Sequence, residues 1–222
     1  LENTRLYQHQ QRQLAFLESL HQIDLAITGS MNLDVMLKVI ARQVKSQLGV
    51  DALAILVLDK HTLLLDPVAQ SGFSISQSPM QALRFGDGLG GQIAQQAKTV
   101  HHASLSDEKS EFIRSDLFMQ EGFYSYYGLP LKSKGLVKGV LELFHRAPFE
   151  PDAQWVSFAE TVATQTAIAI DSAQLFQDLE HSNLEISLAY DTTLEGWAKA
   201  LELRDHETEG HARRVVEMAL NL

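Results

Sequence analysis

The apolar positions of this chain change period several times, and each change marks an element. Residues 5–28 contain neither Pro nor Gly, and Leu14, Leu17, Leu20 (or His21), Asp24 and Ile27 recur at a helical interval with one polar interruption. A helix is expected there, ending at Gly29. Asn32 can cap a second helix, in which Leu33, Met36, Leu37, Ile40, Ala41, Val44 and Leu48 fill one stripe and Gly49 is the stop.

From there the rhythm is extended. Asp51 to Leu58 (DALAILVL) is a short apolar run rich in strand formers, and Asp59-Lys60-His61 turns it into a second run from Thr62 to Ala69. Pro67 cannot donate a ladder hydrogen bond, so the second strand should have a free edge near Pro67 or end there. Residues 70–79 read as a loop, Met80 to Phe85 as a strand, Leu89 to Ala97 as a short helix and Thr99 to Ala103 as a strand. A polar stretch dotted with aromatics comes next, at 104–125. Tyr126 to Leu131 and Leu136 to His145 then form a hairpin around Lys132-Ser133-Lys134-Gly135. Hairpin-spaced strands with helices outside them give an α+β fold, an antiparallel sheet with helices on one face.

Ala147 to Pro151 breaks the last strand, and Asp152 can cap a helix starting at Ala153. From Ala153 to about Leu203 there is no Pro, and Gly196 is the only Gly. A continuous helix there would run roughly 75 Å at ~1.5 Å per residue, too long for a domain of this size to bury. The expectation is a parallel homodimer through the N-terminal and 153–200 helices. Phe158, Val162, Phe176, Leu179, Ile186 and Trp197 recur at spacings near three, four and seven, with Asn183 as a polar interruption.

Composition narrows the function. With 18 Lys and Arg against 28 Asp and Glu, the formal charge is −10, which argues against a nucleic-acid partner. No apolar run approaches the ~20 residues of a membrane span, and the N-terminus has no secretory signal pattern. The chain has 0 cysteines, so disulfides, thiolate metal sites and thioether-linked chromophores are excluded, and a cytoplasmic location is expected. The chain starts at Leu1 without an initiating Met and Glu217 to Leu222 is still in helical rhythm, so both ends read as cut from a longer protein.

Four pieces carry a resemblance in order and spacing. They are the Leu33–Leu48 helix feeding DALAILVL, then RFGDGLGGQIAQQAKTV, the YGLPLKSKGLVKGVLELFH hairpin and the AETVATQTAIAIDSAQLF helix. Together they resemble a GAF domain, which implies a GAF/PAS-like antiparallel sheet flanked by helices and a regulatory, small-molecule-sensing role. The implied organisation is an N-terminal helix at 1–29, the sensor at 30–175 and a signalling helix at 176–200.

Several motifs admit two readings. Gly86-Asp87-Gly88-Leu89-Gly90-Gly91 fits G-x-G-x-x-G, but the helix after it, of about two turns, is too short for the usual crossover of a dinucleotide site. It reads as a tight turn. His101 and His102 are strand neighbours pointing to opposite faces, so they do not pair as metal ligands. The 107–127 segment mixes Phe112, Phe118, Phe123, Tyr124, Tyr126 and Tyr127 with Arg114 and two aspartates, the apolar walls and few polar groups that pockets use. Candidate ligand-binding residues are Arg114 and Tyr126 as polar contacts, Phe112 and Phe123 as walls, and His145 at the strand end. The alternative is that these aromatics close the core and Arg114 is solvated. In GAF domains the ligand generally lies between the sheet and this irregular stretch. The Asn-Lys…Phe…Asp-Glu signature of cyclic-nucleotide-binding members is mostly missing: Phe144-His145-Arg146, Phe149 and Asp152-Ala153 stand there. These residues do not name a ligand.

Glu207 and His211 lie four apart and would share a helical face, a spacing suited either to two metal ligands or to an exposed polar face. The surrounding string ALELRDHETEGHARRV resembles the opening of HD-GYP domains, which hydrolyse cyclic-di-GMP at two or three divalent metals (Fe or Mn). The resemblance implies a truncated start of such a domain at 201–222. His211 matches the first His ligand, and Glu207 a carboxylate ligand of some members. The chain contains neither a His-Asp dipeptide nor Gly-Tyr-Pro, so no catalysis and no cofactor are expected of these residues alone. The expected function is the sensing module of an HD-GYP phosphodiesterase, or a ligand-free dimerisation scaffold that positions the hydrolase.

Overall fold

The computed structural model of the protein describes residues 32–74, 80–105, 115–205 and 211–220. The helix expected at 5–28 lies outside them. The chain divides into two compact units, Leu1–Ala173 and Gln174–Leu222.

The first unit is built on a six-stranded antiparallel sheet of order β3-β2-β1-β6-β5-β4, confirming the α+β expectation. Its strands are β1 (Ala52–Leu58), β2 (Leu64–Ser71), β3 (Leu83–Arg84), β4 (Val100–His102), β5 (Ser125–Ser133) and β6 (Leu136–His145). The helices are α1 (Leu33–Leu48), α2 (Gly88–Gln96), α3 (Ser115–Glu121) and α4 (Ala153–Asp205), which runs from the first unit into the second, with α5 (His211–Leu220) in the second unit.

α1 forms where its sequence signals place it. Asn32 Oδ1 accepts the Val35 N–H at 3.2 Å, and Gly49 adopts φ +63° so that its N–H reaches the Lys45 carbonyl. Met36, Leu37, Ile40, Ala41, Val44 and Leu48 are buried, together with Leu53 and Ile55 of β1, Leu129 and Leu131 of β5, and Leu141 and Leu143 of β6. Phe158, Val162, Ala163 and Ile170 on the first turns of α4 complete this core. The Asp152 carboxylate caps α4 by accepting the Trp155 N–H at 2.7 Å, and the Trp155 indole donates to the Leu48 carbonyl at 2.9 Å. α1 and the first turns of α4 therefore lie on one face of the sheet, tied end to start.

The pleat sends alternate residues to the other face, where Ala52, Ala54, Leu56, Tyr126, Val140 and Phe144 meet Ile93 and Ala94 of α2 and Phe118 of α3. Short helices thus cover the face that the sequence left without any. Pro67 pairs with Leu56 at a register shift, and β3 reaches only Leu64 and Leu65, so among the described residues the outer edge of β2 is open at the proline. The hairpin loop is Lys134-Gly135 alone, shorter than the four residues expected. Ser133 pairs with Leu136, and both loop residues have positive φ, at 51° and 80°, as a two-residue turn matched to strand twist requires. No helix among the described residues is long and apolar enough to cross a membrane.

Candidate functional site

The second face of the sheet gathers most of the chemistry. Phe144 is its centre: Phe123 stacks on it at 4.7 Å between centroids, Phe118 tilts against it at 5.0 Å, and Tyr126 and Phe73 meet it near edge-on at 5.4 and 5.7 Å. Into this apolar cluster β6 places a carboxyl. Val140, Glu142 and Phe144 share one side of the strand, and Glu142 is only 1% exposed. Tyr126, also 1% exposed, donates from its hydroxyl to Glu142 Oε1 at 3.1 Å.

Two glycines make room for the pair. A Cβ on Gly90, in the first turn of α2, would stand 3.0 Å from Glu142 Oε1. A Cβ on Gly128 would overlap Ile93 Cδ1 and come within 2.5 Å of the Tyr126 hydroxyl. The glycine-rich string at 86–91 accordingly forms a tight turn, with Gly86 at φ +91°, and then the short helix that roofs this carboxyl. The N-terminal end of a helix is electrostatically favourable for a carboxyl placed beneath it.

A second polar group rims the cluster. Arg146 donates from Nη2 to Glu121 Oε2 at 2.8 Å and from Nε to the Glu121 carbonyl at 2.9 Å, and its guanidinium lies 4.9 Å over the Phe123 ring. Glu121 Oε2 also accepts the Ser74 N–H at 2.9 Å, and Arg146 Nη2 reaches Gly72 O and Ser74 Oγ at 3.3 Å. The Arg146 N–H donates to Asp51 Oδ2 at 2.7 Å. One arginine thereby joins α3, the 72–74 loop and the end of β6. The Glu121 side chain is 0% exposed, so breaking this pair would strand a buried carboxyl.

The structure brings Tyr126 and Phe123 together in this cluster. His145 is elsewhere. The alternation of β6 puts it on the face covered by α1 and the start of α4, opposite Phe144, where it stacks on Phe149 at 3.9 Å and approaches Trp155 at 6.5 Å. Its Nε2 has no hydrogen-bond partner among the described residues. Burial holds the imidazole below the usual histidine range, with the Asp51 carboxylate opposing. The histidine pair divides as the strand requires: the His101 ring lies beside Tyr127 and the His102 ring beside Tyr126. Phe112, Arg114 and Glu207 lie outside the described residues, and His211 is the first residue of α5. Among the described residues no three His, Asp or Glu side chains form a metal-binding group.

Glu142, Glu121 and Arg146 were missed by sequence reasoning. Only Glu142 left a signal, a charged residue at a position whose neighbours two away, Val140 and Phe144, are apolar. The Arg146–Glu121 pair spans 25 residues and has no local signature.

A GAF-domain family model matches residues 30–171. Among solved structures, the chain is similar to the GAF domain of a phosphoenolpyruvate-protein phosphotransferase from Acinetobacter, with 24% identity, a TM-score of 0.61, and 73% of this chain and 97% of that one covered. The corresponding Coxiella burnetii domain gives 21% identity and a TM-score of 0.65, covering 74% and 98%. Free methionine-R-sulfoxide reductase from Neisseria meningitidis, solved with its substrate, gives 19% and 0.59, covering 72% and 90%. No curated protein matches the chain.

Proposed function

The chain belongs to the GAF domain family, a family of small-molecule-sensing and regulatory modules, and from that premise we propose that the Tyr126–Glu142 cluster is the sensing site. The observation that carries this is a hydroxyl–carboxyl pair buried among aromatic rings under a glycine-bearing helix turn. A small polar molecule entering there would find apolar walls and a few fixed hydrogen-bonding groups, the composition of ligand sites. Arg114 and Phe112 belong to the same proposal from the sequence side, Arg114 as a donor fork for a carboxylate or phosphate.

The sensed signal would regulate an HD-GYP phosphodiesterase acting on cyclic-di-GMP. Support for this finer reading is the string ALELRDHETEGHARRV alone. Glu207 and His211 would contribute two ligands to a site of two or three divalent metals. Two residues do not complete such a site, which needs further ligands, and no reaction step is assigned to this chain.

Calorimetry against a metabolite panel, with wild type, Arg114→Ala and Tyr126→Phe, tests the sensing site. Tyr126→Phe leaves Glu142 short of one donor, so some stability is lost whether or not a ligand exists. Affinity is the deciding readout: a binder weakened by Tyr126→Phe or Arg114→Ala supports the site, and binding indifferent to both removes it. A second reading is favoured by the ring stacking itself. Phe118, Phe123 and Phe144 already fill the face, as they would in a ligand-free scaffold, and a panel without any binder would select it.

A further inference from the structure

Within the second unit, α4 presents an apolar seam that the described residues leave uncovered. Phe176, Leu179, Asn183, Ile186, Tyr190, Thr193, Trp197 and Ala200 alternate spacings of three and four, the repeat of a coiled-coil seam. The large members are exposed: Leu179 is 61%, Ile186 53%, Tyr190 69% and Trp197 66% accessible. Among the described residues of this unit only Ala198, which lies off the seam, is buried. Asp178, Glu185, Asp191 and Glu195 lie on the remaining sides of the helix, as do the His181–Glu185 contact at 3.3 Å and the exposed Leu184 and Leu188.

We propose that this seam binds a second copy of the chain in a parallel, in-register dimer, with Asn183 as the residue that sets the register. Three features select a second copy. The flanking positions are nearly uncharged: Leu175, Ser182, Ala189 and Gly196 on one side, and Ser187, Leu194 and Leu201 on the other, with Glu180 the one acid. Like charges therefore do not oppose each other when two seams meet, although the chain carries a formal charge of −10. Small residues at 182, 189 and 196 recur every heptad and let two backbones approach.

Area gives the third feature. Five exposed large side chains at on the order of 100 Å² each cover about 1,000 Å² over two copies, and the leucine flanks bring this into the range of specific interfaces. Orientation is set by Asn183. In a parallel, in-register pair its amide meets its own copy, whereas in most other alignments it faces an apolar side chain without a hydrogen-bond partner. The inference stands whether the first unit senses a ligand or serves as a scaffold.

The test uses the full chain and the absence of native cysteine. Sedimentation of the wild type at about 30 µM should give a dimer, and Ile186→Asp should raise its dissociation constant by roughly tenfold or more. The far-UV spectrum and the first melting transition should be retained, since Ile186 is already exposed. Asn183→Cys and Thr193→Cys, tested singly under mild oxidation, should each form a disulfide-linked dimer, because only a parallel in-register seam juxtaposes both positions with themselves. A monomeric wild type, or a dimer indifferent to Ile186→Asp, overturns the proposal. So does cross-linking at one cysteine position or at neither.

Discussion

His145 is a histidine packed like an aromatic, in a place where charge is unwelcome. Its ring lies against Phe149, and Nε2 finds no partner among the described residues. Burial lowers its pKa, while an unfolded imidazole titrates near 6.5. The unfolded state then binds more protons than the folded one below about pH 6.5, so stability falls as pH drops through that value toward the folded pKa. Urea midpoints should decline between about pH 7.5 and about pH 5.5, and the decline should be shallower in His145→Phe. Equal slopes in the two proteins would show that other groups carry the effect. This placement was readable only after the strand register was known, because a shift of one residue on β6 would have exchanged its faces, sending His145 to the Tyr126 side and Glu142 to the α1 side.

At the scale of elements, the β5–β6 hairpin is held to α4 by one carboxylate. Asp171 accepts from Ser133 Oγ at 3.1 Å, and both Lys138 and Lys134 pair with it, Lys134 at 3.1 Å. Lys138 first, then Lys134, lowers its pKa to about 2. A depressed carboxylate pKa adds stability above the unfolded value and loses it as pH falls through the folded one. Asp171→Asn should therefore be less stable than wild type at neutral pH, with the gap narrowing from about pH 4 toward about pH 2 in denaturant titrations. A gap that is constant over that range would mean that the charge is not what matters.

Elements with a strong period were legible: the α1 stripe with both caps, the apolar run of β1, and the Pro-free start of α4. The loop of the β5–β6 hairpin was read two residues too long, since polar Lys132 and Ser133 look like turn residues but still pair across the ladder. The two-turn α3 was hidden in a stretch where aromatic and polar residues alternate without a helical stripe. The aromatic face was legible as an aromatic-rich segment. Its polar core was not, because Tyr126 and Glu142 meet across strands and Arg146 and Glu121 across a loop.

For the molecule as a whole, the sensor and the proposed catalytic opening make opposite predictions. The 222-residue chain should show no cyclic-di-GMP hydrolysis with Mn²⁺ or Fe²⁺, since it contains no His-Asp dipeptide and no Gly-Tyr-Pro. Metal-dependent turnover that disappears in His211→Ala would contradict this. Sensing, by contrast, requires only the first unit and a molecule that prefers one of its arrangements. A crystal structure of the protein purified from cells measures this most directly. The expected result is density for a small molecule touching the Tyr126 hydroxyl or Glu142, with Phe118 or Phe123 turned away from Phe144. Rings still packed with Phe123 on Phe144 at about 4.7 Å, and no unassigned density beside Glu142, would contradict it.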